Sequence, residues 1–373
     1  MGSDNAGLDR LNQAAAAPAW DRFVHWRAWP ARVLLAVVAA LLVLAAITPL
    51  TARMDGATSE VPASDSAPER DDDLALYDRA IERIADGENY YDFIVEEQRA
   101  QDYPVRPGLA VRLPTLAYIH AWLGEPGMIV FAIALLIACI WAWWKRLVEE
   151  PGGARMRLLG TALMAMGGSL GLNRHFFVLH ELWAGMLVAL AFGLHRPGRW
   201  GLALAITAFA LALRELVLPF VLLMAAMAAW RRDWREAAAW AALVAVFAAT
   251  MAWHLSLIAA QGLPGDPQGP DWLALRGLSG WLGNIVLTSN LRWLPHAIAG
   301  PLVVLMVLGW AGWKSPAGTT GTLLYLGYGL AFMIAGRANN FYWGAVVAPA
   351  MFIGLAFLPM ALASLVKSAK GPA

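Results

Sequence analysis

Six arginines stand singly amid apolar sequence: Arg112, Arg174, Arg214, Arg276, Arg292 and Arg337. An ionisable side chain held at membrane depth is costly and usually faces an interior cavity. A planar guanidinium there offers five donors to an anionic group. Few carboxylates are placed to share such a cavity. Glu181 lies in FFVLHELWAG, enclosed by apolar and aromatic neighbours, with Arg174 and His175 shortly before it. Asp71, Asp72 and Asp73 open the stretch DDDLALYDRAIERIADGENYYD, where capping and the helix dipole account for one acid better than for three. Asp73 precedes Tyr77 by four residues, hence on the same helical face. That face is an apolar one, an odd place for a solvated carboxylate. GRANNFYWGAVVAP, residues 336–349, sets Arg337, Asn339, Asn340, Tyr342 and Trp343 between apolar runs. One reading is a helix end at the water interface, with Arg337 snorkelling, the asparagines capping and the aromatics in a belt. The other is the mouth of a cavity.

The elements that must position these residues are membrane helices. The chain has 373 residues, 59% hydrophobic and only 15% charged, with mean hydropathy +0.53. Several apolar runs reach the roughly 20 residues that cross a bilayer. We expect an all-α polytopic membrane protein with about ten crossings, near 31–50, 127–144, 157–172, 176–194, 200–213, 216–230, 236–258, 293–312, 319–336 and 341–365. The spans 200–213 and 216–230 are short and meet at Arg214-Glu215, which reads as a hairpin whose tip is buried in protein. The net charge of +1 points to no nucleic-acid partner, and the single cysteine, Cys139, excludes an internal disulfide and a cysteine zinc site.

Charge sets the expected topology. Segments 145–157, 195–199 and 231–235 are basic, as are the N-terminal tail and the C-terminus, and the four lysines fall with them. The positive-inside rule puts all of these in the cytoplasm. Residues 1–30 then form a cytoplasmic tail, 31–50 a retained first span, 51–126 an extracytoplasmic loop, 127–366 the bundle and 367–373 a cytoplasmic tail. Within the first loop, residues 51–108 hold 15 Asp and Glu against 6 Arg. Leu74, Tyr77, Ile81 and Ile84 recur at helical spacing there, ended by Gly87, and predict an amphipathic helix on the membrane surface. Residues 109–123 predict an interfacial or re-entrant helix. Residues 259–292, rich in Gly and Pro, predict an outer loop.

This layout resembles the GT-C superfamily of integral membrane glycosyltransferases, in particular mannosyltransferases and lipid A aminoarabinose transferases that use polyprenyl-phosphate sugars. Asp73 with Tyr77 matches the acidic residue shortly before a tyrosine at the start of the first outer-loop helix. Gly87, Tyr90 or Tyr91, Arg106 and Pro107 match the segment leading back to the membrane, with one proline where relatives often have two. Glu181, after Arg174 and His175, stands where relatives more often have Asp. Arg214-Glu215 matches a basic-acidic helix break, and Arg337, Tyr342 and Pro349 a motif near the last span. The match is one of layout and short motifs, without the soluble C-terminal domain of many relatives.

The resemblance implies an enzyme of a bacterial inner membrane, both termini cytoplasmic and the active site facing outward. It would transfer a sugar from a polyprenyl-phosphate-linked donor to a membrane lipid or an envelope glycan or protein. Asp73 would be the general base and Glu181 its assistant. Arg174, Arg214 and Arg337 would hold the donor phosphate. Asp72, Tyr77, Arg106, His175, Glu215, Asn340 and Tyr342 would line the cavity. Magnesium or manganese on Asp73 and Glu181 is compatible with hard oxygen ligands, though no spacing requires it. Two rivals stand beside this reading. A transporter or flippase of a lipid-linked sugar would suit the broken spans, but lacks an internal hydropathy repeat and a charge in the cytoplasmic half for a second gate. A scaffold would have no reason to hold single arginines at depth.

Overall fold

The structure, a computed structural model, describes residues 19–50 and 72–371, without the side chains of Asp72, Asp73 and Ala338. Most of the N-terminal tail and residues 51–71 of the first loop therefore lie outside the described residues. Among those described, the secondary structure is helical, with isolated bridges and no β-strand. In chain order the helices are α1 (Ala28–Ile47), α2 (Asp72–Ala85), α3 (Tyr90–Ala100), α4 (Thr115–Glu149), α5 (Gly153–Gly168), α6 (His180–Leu194) and α7 (Gly201–Leu213). There follow α8 (Leu218–Trp230), α9 (Trp234–Ala259), α10 (Gly277–Leu287), α11 (His296–Gly312), α12 (Pro316–Ile334), α13 (Ala348–Met351) and α14 (Gly354–Lys370).

Among the described residues, five helical stretches are long and apolar enough to cross a membrane: Ala28–Ile47, Gly108–Glu149, Trp234–Ala259, Pro316–Ile334 and Ala348–Lys370. The protein is membrane-embedded by this criterion. The other apolar helices are shorter than a crossing requires, among them α6, α7, α8, α10 and α11. Two of them, α6 and α10, are sheltered by neighbours. Of α6, every residue from His180 to Gly193 is buried, so it meets protein rather than lipid. On α9, Trp234 and Trp253 are both exposed and lie 19 residues apart. That is about 29 Å of helix, close to the thickness of a hydrocarbon core, and Trp is enriched at its two faces.

Close helix packing rests on small residues, as is usual in membranes. A Cβ on Gly300 would stand 2.3 Å from the Ala45 carbonyl oxygen, and one on Gly309 1.9 Å from that of Gly354. α11 thus presses against both α1 and α14. Its far end feeds an aromatic layer beside Arg146, where Trp310 packs on Phe192 and Trp143, and Trp313 stacks on Phe357 with ring centres 4.0 Å apart.

The connections fall into two groups at opposite ends. At the basic end Arg196 reaches Glu149 (2.7 Å), His195 and Arg231 converge on Glu236 (2.8 and 2.9 Å), and Trp313 bonds the Pro151 carbonyl. At the other end Arg99 pairs with Asp266 (2.7 Å), Tyr91 with His254 (3.0 Å) and Asn290 with Ser169 (2.9 Å).

Four expectations need correction. Residues 259–292 are not loop throughout: α10 lies within them, and its residues Gly280–Val286 are buried. Gly277, at φ +57°, lets the chain turn into it. The final stretch 341–365 is not one span, because residues 338–346 form a 3-10 segment before α13 and α14. Broken backbone is tolerated there because protein covers it. The amphipathic helix is present as α2, but its apolar side is covered by protein, with Leu74, Leu76 and Ala80 in the interior. Finally, buried charge is present at the basic end, in Arg146 and Glu236, where none was expected. The helix within 109–123 is found as the first turns of α4, bent at Gly124 (φ 62°, ψ 175°).

Candidate functional site

The helix break at Arg214 builds the site. α7 ends there because Arg214 takes extended backbone (φ −152°, ψ 121°), and a single 3-10 turn, Glu215–Val217, leads into α8. Val217 is buried, and the Tyr328 hydroxyl of α12 donates to the Leu216 carbonyl at 2.6 Å, anchoring the turn. Arg214 is only 1% exposed. Its Nε donates to Glu181 Oε1 at 2.6 Å, and its Nη1 bonds Glu215. Glu181, 2% exposed, sits in the first turn of α6, where the helix dipole favours a carboxylate. Glu215 is 27% exposed and carries the cluster toward solvent. The Arg214 Nη2 atom is buried with no hydrogen-bond partner among the described residues.

A second arginine joins from the returning loop. Arg112 Nε donates to the Tyr77 hydroxyl at 3.1 Å, and the Arg112 carbonyl accepts from Tyr90 at 2.7 Å. Glu181, Glu215 and Tyr342 lie within electrostatic range of Arg112. Tyr77 packs edge-on to His180 at 5.3 Å. His180 is buried beside the Leu113 backbone, its ring nitrogens without a well-formed hydrogen bond. Burial pushes the phenols of Tyr90 and Tyr91 up, so both remain neutral donors. The cavity between Tyr77, Tyr90, Arg112 and His180 holds about 10 Å³, the lower limit for one water. α2 thus covers the cluster.

GRANNFYW comes to the same end. The 3-10 segment 338–346 is pressed between α6 and α10 and packs against the Glu215 turn. A Cβ on Gly185 would stand 1.9 Å from the Ala345 carbonyl oxygen, and one on Gly344 2.0 Å from that of Asn284. Asn340 accepts from the Arg337 amide and donates to the Tyr342 hydroxyl at 3.0 Å, so it is both a cap and a brace. The Arg337 carbonyl accepts from Arg276. The Arg337 side chain has no carboxylate partner among the described residues, and its Nε is unbonded.

The residues expected at the site thus separate. Tyr77, Glu181, Arg214 and Glu215 are brought together, with Asn340 and Tyr342 beside them. Arg174 and His175 are not. Arg174 is 61% exposed and paired with Glu125 at 2.8 Å on the rim of an open basin of about 620 Å³ that also takes in Asp78, His120 and His175. Val178 alone is common to that basin and the closed cavity. Arg106 donates to the Leu263 carbonyl and ties the first loop to residues 260–268. The side chains of Asp72 and Asp73 lie outside the described ones, although the backbone of both belongs to α2. Arg112, one of the six lone arginines, is a site residue to which the sequence assigned no role. It carries the same signature as the others, a lone arginine in apolar sequence, and only packing separates it from Arg174.

For magnesium or manganese, one expected ligand, Asp73, lies outside the described side chains. Glu181 spends Oε1 on Arg214, and no group of three His, Cys, Asp or Glu gathers among the described residues. No step is drawn through a metal.

Fold and site define a helical membrane protein with a buried, balanced ion cluster at its less basic end. Comparison with protein-family models, curated proteins and solved structures gives no match to the chain.

Proposed function

We propose that the chain is a GT-C-type membrane glycosyltransferase. It moves a sugar from a polyprenyl-phosphate-linked donor to a lipid, glycan or protein acceptor at the less basic end, outside a bacterial inner membrane. One observation carries the reading. In the cluster, Arg112 and Arg214 are balanced by Glu181 and Glu215, yet Arg214 keeps an unpartnered Nη2, and Arg337, which precedes the segment packed on the Glu215 turn, has no carboxylate partner among the described residues. Unspent guanidinium donors beside a neutralised pair suit an incoming phosphate.

The acceptor oxygen or nitrogen attacks the anomeric carbon from the side opposite the phosphate. The sugar–phosphate bond breaks as the new bond forms, its electron pair leaving on the lipid phosphate, and the configuration inverts. The acceptor proton passes to a carboxylate, Asp73 by the family resemblance. Glu181 and Glu215 are positioning residues that aim Arg214. The closed cavity admits no sugar, so Tyr77 must leave Arg112 for a donor to enter.

Native mass spectrometry of gently extracted protein, parent beside Arg337→Ala, tests this. The expected result is a co-purified polyprenyl-phosphate lipid in the parent and its loss in the variant, with transfer abolished in Asp73→Asn. Folded Asp73→Asn and Arg337→Ala proteins that match the parent in every transfer and binding assay would sink the reading.

The buried charges at the basic end, Arg146 and Glu236, favour transport as a second reading. The packed layer of Trp143, Phe192 and Trp310 beside Arg146 stands against a path. Movement of a lipid-linked sugar across liposomes containing the protein, without transfer, would decide for it.

A further inference from the structure

A cavity of about 380 Å³ opens at the basic end, far from the cluster described above. Arg146, at the end of α4, Arg231, just past α8, and Lys314, between α11 and α12, contribute cations to its wall. Ser315 and Thr320 add hydroxyls, and no carboxylate lines it among the described residues. The acids beside these cations are already engaged: Asp21, in a bridge with Trp313, accepts the Phe23 amide. Glu150 takes Arg146 at 3.1 Å. Glu236 serves Arg231 (2.9 Å), His195 (2.8 Å) and the Trp240 indole (3.2 Å) at once. Among the described residues, Arg231 Nε is buried without a partner and Lys314 forms no ion pair. Cations from three elements round one cavity repel unless an anion enters between them.

We propose that this cavity binds a phosphate group, and that the phosphate belongs to the headgroup of an anionic membrane lipid. The source follows from the depth. Trp230 and Trp234, both exposed, flank the Arg231 turn and mark the membrane interface. α8 and α12, which border the cavity through Met227 and Thr320, present exposed Leu222, Leu323, Leu326 and Leu330 beneath it. A headgroup in the cavity leaves its acyl chains along that apolar seam. The cationic cluster thus does more than orient the chain: it holds a lipid at the end opposite the proposed chemistry.

The test is thermal unfolding of the full chain in neutral detergent with added phosphatidylglycerol, phosphatidylcholine or glycerol 3-phosphate. Phosphatidylglycerol is expected to raise the midpoint and phosphatidylcholine to leave it unchanged. Lys314→Gln, an exposed and structurally mild change, weakens the apparent affinity about fivefold, the scale for one basic residue at a lipid surface. Lys367→Gln, at the same end outside the cavity, leaves it unchanged and excludes a general charge effect. Equal responses to the two lipids, or equal affinity in Lys314→Gln and parent, overturn the proposal. Glycerol 3-phosphate acting as strongly as phosphatidylglycerol overturns the lipid source and assigns the site to a soluble phosphate.

Discussion

At the scale of single residues, Arg214 is held by geometry that cannot be halved. Removing one partner of a buried ion pair leaves an uncompensated charge and costs about 3–5 kcal/mol. Arg214→Ala is therefore expected to lower the unfolding midpoint sharply, since Glu181 would remain buried and unpaired. Adding Glu181→Gln to that variant should recover part of the loss, and a thermal double-mutant cycle reads the coupling directly. Glu215 is the contrast. With its carboxylate partly in solvent, Glu215→Gln costs about 1 kcal/mol or less, while donor binding falls because Arg214 loses one of the two groups that aim it. Lysine in place of Arg214 cannot bridge both carboxylates, so Arg214→Lys should stay impaired although charge is conserved.

At the scale of elements, the segment 338–346 stays in place because two glycines let backbones touch. Gly185→Ala puts a methyl into the Ala345 carbonyl, and overpacking of this kind costs about 1–3 kcal/mol. The expected outcome is a destabilised protein with weakened lipid retention, because Asn340 and Tyr342 shift with the segment. Gly201→Ala, where nothing stands within 4 Å of the new Cβ, should be neutral or slightly stabilising. The loop 260–268 is clasped differently. Arg99 beside Asp266 holds its carboxyl below the ordinary 3.8, helped by the Leu263 amide. A depressed carboxylate contributes stability above its unfolded pKa and loses it as pH falls through the folded value. The loop should therefore stay closed at neutral pH and open only in acid below the ordinary aspartate range. Amide exchange across 260–268 measures this, and Asp266→Asn should be open at every pH.

At the scale of the whole molecule, the two ends differ in charge and in content, and the proposed orientation is directly measurable. Arg199 is exposed at the basic end, and nothing stands within 4 Å of a side chain at Gly265 at the other. The native Cys139 is buried and gives no background. In intact spheroplasts an impermeant thiol reagent should label Gly265→Cys and leave Arg199→Cys untouched until the membrane is broken. The reverse pattern would invert the topology and place the ion cluster in the cytoplasm, where no lipid-linked donor of this kind is used by the proposed reaction.

Hydropathy and helical period are local properties, and they made the helical membrane character, the amphipathic α2 and the break at Arg214 legible without coordinates. Gly87, at φ +96°, ends α2 as its residue type requires. What packs on what is not local. Arg112, Arg174, Arg214 and Arg337 share one sequence signature, yet Arg214 meets Glu181 across 33 residues while Arg174 remains on an open rim. Helix α10 was hidden because its glycines read as loop when taken alone, whereas Gly280 is there to let the helix approach the Phe332 carbonyl. Sequence determined that lone arginines would be held in an apolar chain. Only the tertiary structure decided which of them face a carboxylate, because burial is conferred by neighbours that the chain brings from elsewhere.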